Sequence, residues 1–193
     1  MDEYGTLQVR EWRTTLNNTC YLISTNPALV SAQFVNEAFA DDDMHWARSL
    51  PMPAVKRIID TSLFLGVYVI SPRFPPAKSA SEPSSPRTPS PSLESSDNDE
   101  DLWMVGMARF MTDYVLMMYL TDVYVRPEHR GIGVSTWLIG CCKEVLDSMK
   151  HLRRLLLFTS PGKPAQWYMK MLDCYDVQDE SDHLTCLTRF AGR

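Results

Sequence analysis

Arg130, Gly131, Gly133, Ser135 and Thr136 crowd into "VRPEHRGIGVSTWLI", Val125 to Ile139, between an apolar run and a helical pattern. A strand–turn–helix path here sets Gly131 to Thr136 at a helix N-terminus. Unpaired N–H groups and the positive end of the helix dipole favour an anion at that position. Glycine at 131 and 133 lets the backbone approach phosphate oxygens with no Cβ in the way. Arg130 adds a fixed positive charge with several donors, and Ser135 and Thr136 add hydroxyls. Two phosphate motifs are excluded: no lysine follows Gly133 as a P-loop requires, and the third glycine of a dinucleotide fingerprint is missing near Thr136. On these residues alone the stretch is either an anion cradle or a glycine-rich turn.

Two further side chains have the chemistry to move protons. Asp122 is the only charged residue between Leu116 and Val125. A buried, unpaired carboxylate is costly, so the position needs a partner or a task. It is either a general base or a structural carboxylate bonded to a neighbouring hydroxyl or backbone N–H. Tyr119 lies on the other face of the same strand unless a bulge intervenes. Tyr168, in "PAQWYMKML", carries a phenol with an ordinary pKa of about 10 and so remains a proton donor at neutral pH. The alternative is a helix tyrosine packed on the core. His129, in the turn before Arg130, is expected to face solvent, and Asp60 to be a surface carboxylate.

These residues need elements to position them. "CYLIS" reads as a strand, and "NPALVSAQFVNEAF" as a helix capped by Asn26 with Pro27 first. "PMPAVKRIID" predicts a second helix and "SLFLGVYVI" a buried strand. "LWMVGMARFM" and "VLMMYLTDVYV" predict two strands joined at Thr112 to Tyr114. Val134, Trp137, Leu138, Cys141, Cys142, Val145, Leu146 and Met149 recur at spacings of three and four, an amphipathic helix ending near Lys150. "RRLLLFTS" is a strand, "PAQWYMKML" a short helix, and "CYDV" and "LTCLTRF" are candidate closing strands. The order β-α-α-β-β-β-α-β-α-β-β makes an α/β fold without internal repeats.

Composition bounds the rest. The 193 residues are 45% hydrophobic and 22% charged, enough for one domain with a sizeable core. From Ser71 to Ser92 there are seven prolines and seven serines, followed by acidic "LESSDNDED". Such a stretch buries too little apolar surface to order itself, so 71–101 reads as a disordered loop interrupting a single domain, 1–193. Ser85-Pro86, Thr88-Pro89, Ser90-Pro91 and Ser96 fit phosphorylation sites, but matches this short arise often by chance, and a tolerated surface insertion is the reading preferred over a regulatory one. A net charge of -5 argues against general nucleic-acid or membrane-surface binding. No apolar run reaches the ~18 residues of a membrane span, and the N-terminus has no signal-peptide core. Five cysteines without C-x-x-C or metal spacing predict reduced thiols, no metal site, and a cytoplasmic or nuclear location.

Arg130-x-x-Gly133-x-Ser135, between Val125-x-Pro127 and an amphipathic helix, resembles the acetyl-CoA signature Q/R-x-x-G-x-G/A of the GNAT N-acetyltransferase superfamily. Ser135 departs from its last position but is small. "YLIST", "HWARSLP", "SLFLGVY", "ARFMTDY" and "YLTDVYV" resemble successive blocks of a small-GNAT subgroup without an assigned substrate. The resemblance implies a mixed, mainly antiparallel sheet flanked by helices and splayed near the Val125 strand. It implies acetyl-CoA as acetyl donor, with the pyrophosphate on Arg130, Gly131, Ile132, Gly133, Val134, Ser135 and Thr136. Pantetheine would pair along Val123, Tyr124 and Val125, and the acetyl carbonyl would meet a backbone N–H near Val123.

Neither metal nor covalent intermediate is implied: a primary amine, on a small molecule or peptide, attacks directly in a ternary complex. Tyr168 would protonate the departing thiolate. The Gly-Phe that ends the corresponding superfamily helix is replaced here by "LDCYDV". No carboxylate lies in "LLLFTS", where many members carry a glutamate, which leaves Asp122 or a water relay as base. His45, Trp46, Tyr68 and Tyr119 would line the acceptor pocket. A rival reading is a silent CoA-binding interaction module regulated through 71–101. A monomer or homodimer fits either.

Overall fold

The computed structural model describes residues 8–72 and 100–177. Six strands form one sheet in chain order: β1 (Glu11–Leu16), β2 (Thr19–Ser24), β3 (Leu63–Pro72), β4 (Glu100–Thr112), β5 (Met117–Val125) and β6 (Arg154–Leu157). All neighbours are antiparallel except β5 and β6. The helices are α1 (Ala32–Phe39), α2 (Met52–Asp60), α3 (Val134–Asp147) and α4 (Lys163–Leu172). The expected mixed, mainly antiparallel α/β architecture is present.

The core has two halves, one on each face of the sheet. Leu65, Val67, Ala108, Phe110 and Leu120 pack under α3 through Leu138, Cys142 and Val145, and α4 closes that side with Leu172. On the other face Leu22, Phe64, Met107 and Tyr124 pack under Phe34, Val35 and Phe39 of α1 and Val55 and Ile59 of α2. Cys141 and Cys142 are packing residues, as their helical spacing predicts. Burial pushes the Cys141 thiol up to about 12 and Cys142 well above its usual value.

Several elements differ from the expectation. β1 was not anticipated: Asn17 and Asn18, both with positive φ (47° and 62°), fold "EWRTTL" back onto β2. The single helix expected from Asn26 is divided. Asn26 caps only the 3-10 turn Pro27–Leu29, and Ser31 then caps α1 by accepting from the Phe34 N–H at 3.2 Å. Ser71, Pro72, Glu100 and Asp101, placed in the loop by composition, pair as strand (Ser71↔Asp101, Pro72↔Glu100), while 73–99 lie outside the described residues. "CYDV" is not a strand, and "LTCLTRF" lies outside the described residues.

Two irregularities in β5 shape the site. Ala108 pairs with Val123 and Phe110 with Leu120, so Thr121 and Asp122 together oppose Arg109: a β-bulge. Met118, Leu120, Val123 and Val125 all face α3 and α4, while Tyr124 faces α1 and α2. By alternation on either side of the bulge, Tyr119 and Asp122 share the α1/α2 face. Pairing of β5 with β6 runs only from Met117↔Arg154 to Leu120↔Leu157. Beyond that the strands part, and β5 offers an unpaired edge from Thr121 to Val125 among the described residues.

Candidate functional site

The loop after β5 turns through a 3-10 segment, Pro127–His129, and enters α3 at Gly133. Gly131 (φ 75°) and Gly133 (φ 96°) take left-handed backbone that a side chain disfavours. Open space lies where a Cβ would project at either glycine. No side chain caps α3, so the first-turn N–H groups of Val134, Ser135 and Thr136 are not spent on a cap. Val134 is buried and Ile132 packs against the same core, which anchors the loop from behind. The residues therefore fit an anion held by backbone N–H groups, next to the unpaired β5 edge.

Arg130, expected to add a fixed positive charge with several donors at the loop, is engaged by its own neighbours. Its Nε donates to the Val125 carbonyl at 2.6 Å and its guanidinium pairs with Asp43. It also lies over the Tyr124 ring, 5.4 Å from the centroid. Tyr124 in turn donates to Asp41 at 2.6 Å. That bond, with one from the Asp43 N–H, holds the Asp41 carboxyl below the usual range. Burial, aided by Asp41, pushes the Tyr124 phenol up to about 12. Arg130 and Tyr124 thus latch the 41–46 segment to the end of β5.

The same segment reaches Asp122. This carboxylate is 3% exposed and fully partnered: Oδ2 accepts from Arg109 Nε at 2.6 Å, and Oδ1 from Trp46 Nε1 at 3.2 Å and the Thr121 hydroxyl at 3.4 Å. Arg109 also donates to Ser62 Oγ at 3.1 Å. Arg109 was not singled out from sequence. Its signal was a lone arginine in the apolar stretch "MVGMARFM", one strand away from a lone aspartate. Trp46 is 54% exposed, so its indole has one edge on Asp122 and a face toward solvent. His45 stacks edge-on against it.

Tyr168 sits on α4, packed against the α3 side of the core, with Trp167 edge-on at 4.9 Å. Burial, with Cys142 close by, pushes its phenol up to about 12. The helix exit that lacks Gly-Phe is made by Asp173 in left-handed backbone (φ 50°), and Asp173 pairs with Lys143 of α3 at 3.0 Å. Tyr119 meets Phe158 edge-on at 5.7 Å beside the parting of β5 and β6. Tyr68 is buried in the α1/α2 core, its hydroxyl unpartnered, and is not brought to the Asp122 group. His129 is not a solvent histidine: its Nδ1 is 2.8 Å from the Tyr21 hydroxyl. Among the described residues no His/Cys/Asp/Glu group could hold a metal ion, and no helix is long and apolar enough to cross a membrane.

Comparison with known proteins gives a consistent picture. The model of the acetyltransferase (GNAT) family matches residues 72–172. FG08082 of Gibberella zeae, whose name as an acetyltransferase is provisional, is 36% identical over 140 residues, 72% of each chain. A GNAT-family structure from Xanthomonas campestris pv. campestris, xcc2953, has 23% identity and a TM-score of 0.55. The match covers 96% of this chain and 95% of that one, and it establishes likeness of fold.

Proposed function

Because the chain belongs to the GNAT acetyltransferase family, we propose that it transfers the acetyl group of acetyl-CoA to a primary amine in a ternary complex. The observation that carries this reading is the parting of β5 from β6 directly beside an uncapped α3 N-terminus with left-handed Gly131 and Gly133. Acetyl-CoA supplies a thioester, an acyl group already activated toward amine attack. The first-turn N–H groups of α3 and the Gly131–Gly133 backbone bind the pyrophosphate. Arg130 contributes by holding the strand end and the 41–46 segment rather than by meeting the anion. The free β5 edge at Val123 to Val125 pairs with the pantetheine amides, and the Val123 N–H donates to the acetyl oxygen as negative charge gathers there.

Tyr168 keeps its proton at neutral pH and gives it to the departing thiolate. The ion pair favours the structural role of the two open to Asp122. With Arg109 on one oxygen and Trp46 on the other, it orders the bulge and the indole, and the amine proton leaves to water in the open splay. Amine-dependent thiol release over a panel of acceptors tests the proposal. Release with the wild type and its loss in Gly133→Val support transfer at this loop. Tight acetyl-CoA binding without release on any amine points instead to the binding module.

A further inference from the structure

The α1/α2 face of the sheet is not covered to its end. Met111 of β4 lies directly opposite Tyr119 of β5, and Tyr119 directly opposite Leu156 of β6. This row crosses three strands on the face opposite the Phe110, Met118 and Leu155 side of the core. Met117 extends it, two residues along β5 from Tyr119 and therefore on the same face, and Phe158, just past the end of β6, joins it by meeting the Tyr119 ring edge-on at 5.7 Å. Met111, Met117, Leu156 and Phe158 are between 37% and 66% exposed. Four large apolar side chains on one patch of sheet, joined by a half-buried tyrosine, form a surface that water covers poorly.

The position of the row identifies its occupant. Phe158 stands just after the last β5–β6 pair, Leu120↔Leu157, at the mouth of the parting strands. The bulge turns Asp122, with Trp46 bonded to it, onto this same face. The row is thus continuous with the site where the amine must attack. Its charge is also telling. At the inner end Arg109 neutralises Asp122. At the outer end the cation Arg154 lies opposite Met117. Asp113, in the β4–β5 turn, is committed to the N–H groups of Val115, Leu116 and Met117. Neither Asp122 nor Asp113 is therefore a free anion for a polycation, and the exposed carboxylate at this end, Asp60, lies on α2 rather than on the sheet row.

We infer that the Met111–Tyr119–Leu156 row with Phe158 receives the apolar body of the acceptor, a primary amine carried on an aromatic or alkyl group. Across the bulge Tyr119 opposes Met111 and Asp122 opposes Arg109, two residues apart along β4, so at about 3.3 Å per residue the body extends roughly 7 Å from a nitrogen beside Asp122. The inference rests on the acetyl-transfer reading for the identity of the ligand, not for the presence of the surface.

The test uses the full chain with 4-phenylbutylamine, butylamine and spermidine, measuring kcat/KM and, without donor, binding by tryptophan fluorescence. The expected result is a preference for 4-phenylbutylamine of about tenfold or more over both others, the scale of burying one large apolar group. Leu156→Asp and, on another strand, Met111→Gln should weaken 4-phenylbutylamine binding and narrow its kcat/KM preference over butylamine. No turnover of any amine, with selective 4-phenylbutylamine binding intact, defeats the acetyl-transfer reading and supports the apolar surface. Preference for spermidine overturns the inference. So does unchanged 4-phenylbutylamine binding in both variants, including the case in which they only dissociate a wild-type dimer, since a second copy would then own the face.

Discussion

Arg109→Met isolates the buried pair at the centre of the site. The side chains of Arg109 and Asp122 are 12% and 4% exposed, with Nε and Oδ2 2.6 Å apart. Methionine keeps most of the packing volume and removes the guanidinium, leaving the Asp122 carboxylate buried against Trp46 and Thr121 alone. Breaking a buried pair from one side costs about 3–5 kcal/mol. For a chain of this size that lowers Tm by about 6–20 °C, at about 2–4 °C per kcal/mol. Urea unfolding followed by far-UV circular dichroism gives the free energy directly. The double variant R109M/D122L, which removes both charges, should recover most of the loss. An Arg109→Met protein within about 0.5 kcal/mol of wild type, the range of ordinary surface changes, would refute the argument. So would a double variant as unstable as the single one.

Other consequences follow from the same geometry. Gly133→Ala forces a Cβ into left-handed backbone at a cost of about 1–2 kcal/mol and should weaken acetyl-CoA binding in calorimetric titration. Tyr168→Phe should spare acetyl-CoA binding and lower kcat by about a hundredfold, and an unchanged rate at saturation would remove Tyr168 as the acid. Because burial raises the Tyr168 phenol to about 12, the unfolded chain ionises there first as pH passes about 10. Wild-type stability should fall across that window, and Tyr168→Phe should remove part of the fall. Asp41 titrates below the usual carboxylate range because Tyr124 donates to it, so its contribution is present at neutral pH and is lost as pH falls through the lowered value. Asp41→Asn should therefore be destabilised at neutral pH, with the gap to wild type closing in strongly acid solution.

What sequence could show here was local. The three-and-four spacing from Val134 to Met149 is carried within one element, and α3 formed as expected, with its two cysteines in the core. The two glycines of "RGIG" were legible as backbone with no Cβ in the way of an anion, and open space lies where a Cβ would project at each, whereas their left-handed backbone is seen only in the structure. What sequence hid depends on register. The bulge exists only in the pairing of β4 with β5, and it alone puts Tyr119 and Asp122 on one face and Arg109 against Asp122. The partners of Arg130 and Tyr124 are Asp43 and Asp41, more than eighty residues earlier, so no periodicity could link them. β1 was missed because its alternation is short and half-exposed, leaving the Asn17-Asn18 turn as the only marker.

The central claim is that an acetyl group moves from CoA to an amine at the β5–β6 splay. Its most direct test is mass spectrometry of amines incubated with the protein and acetyl-CoA carrying an isotope-labelled acetyl group. The labelled acetyl should appear on nitrogen in the wild-type reaction and be strongly reduced with Gly133→Val. Labelled product in equal amount from the Gly133→Val protein, or none from the wild type with any primary amine while acetyl-CoA binds, would contradict it.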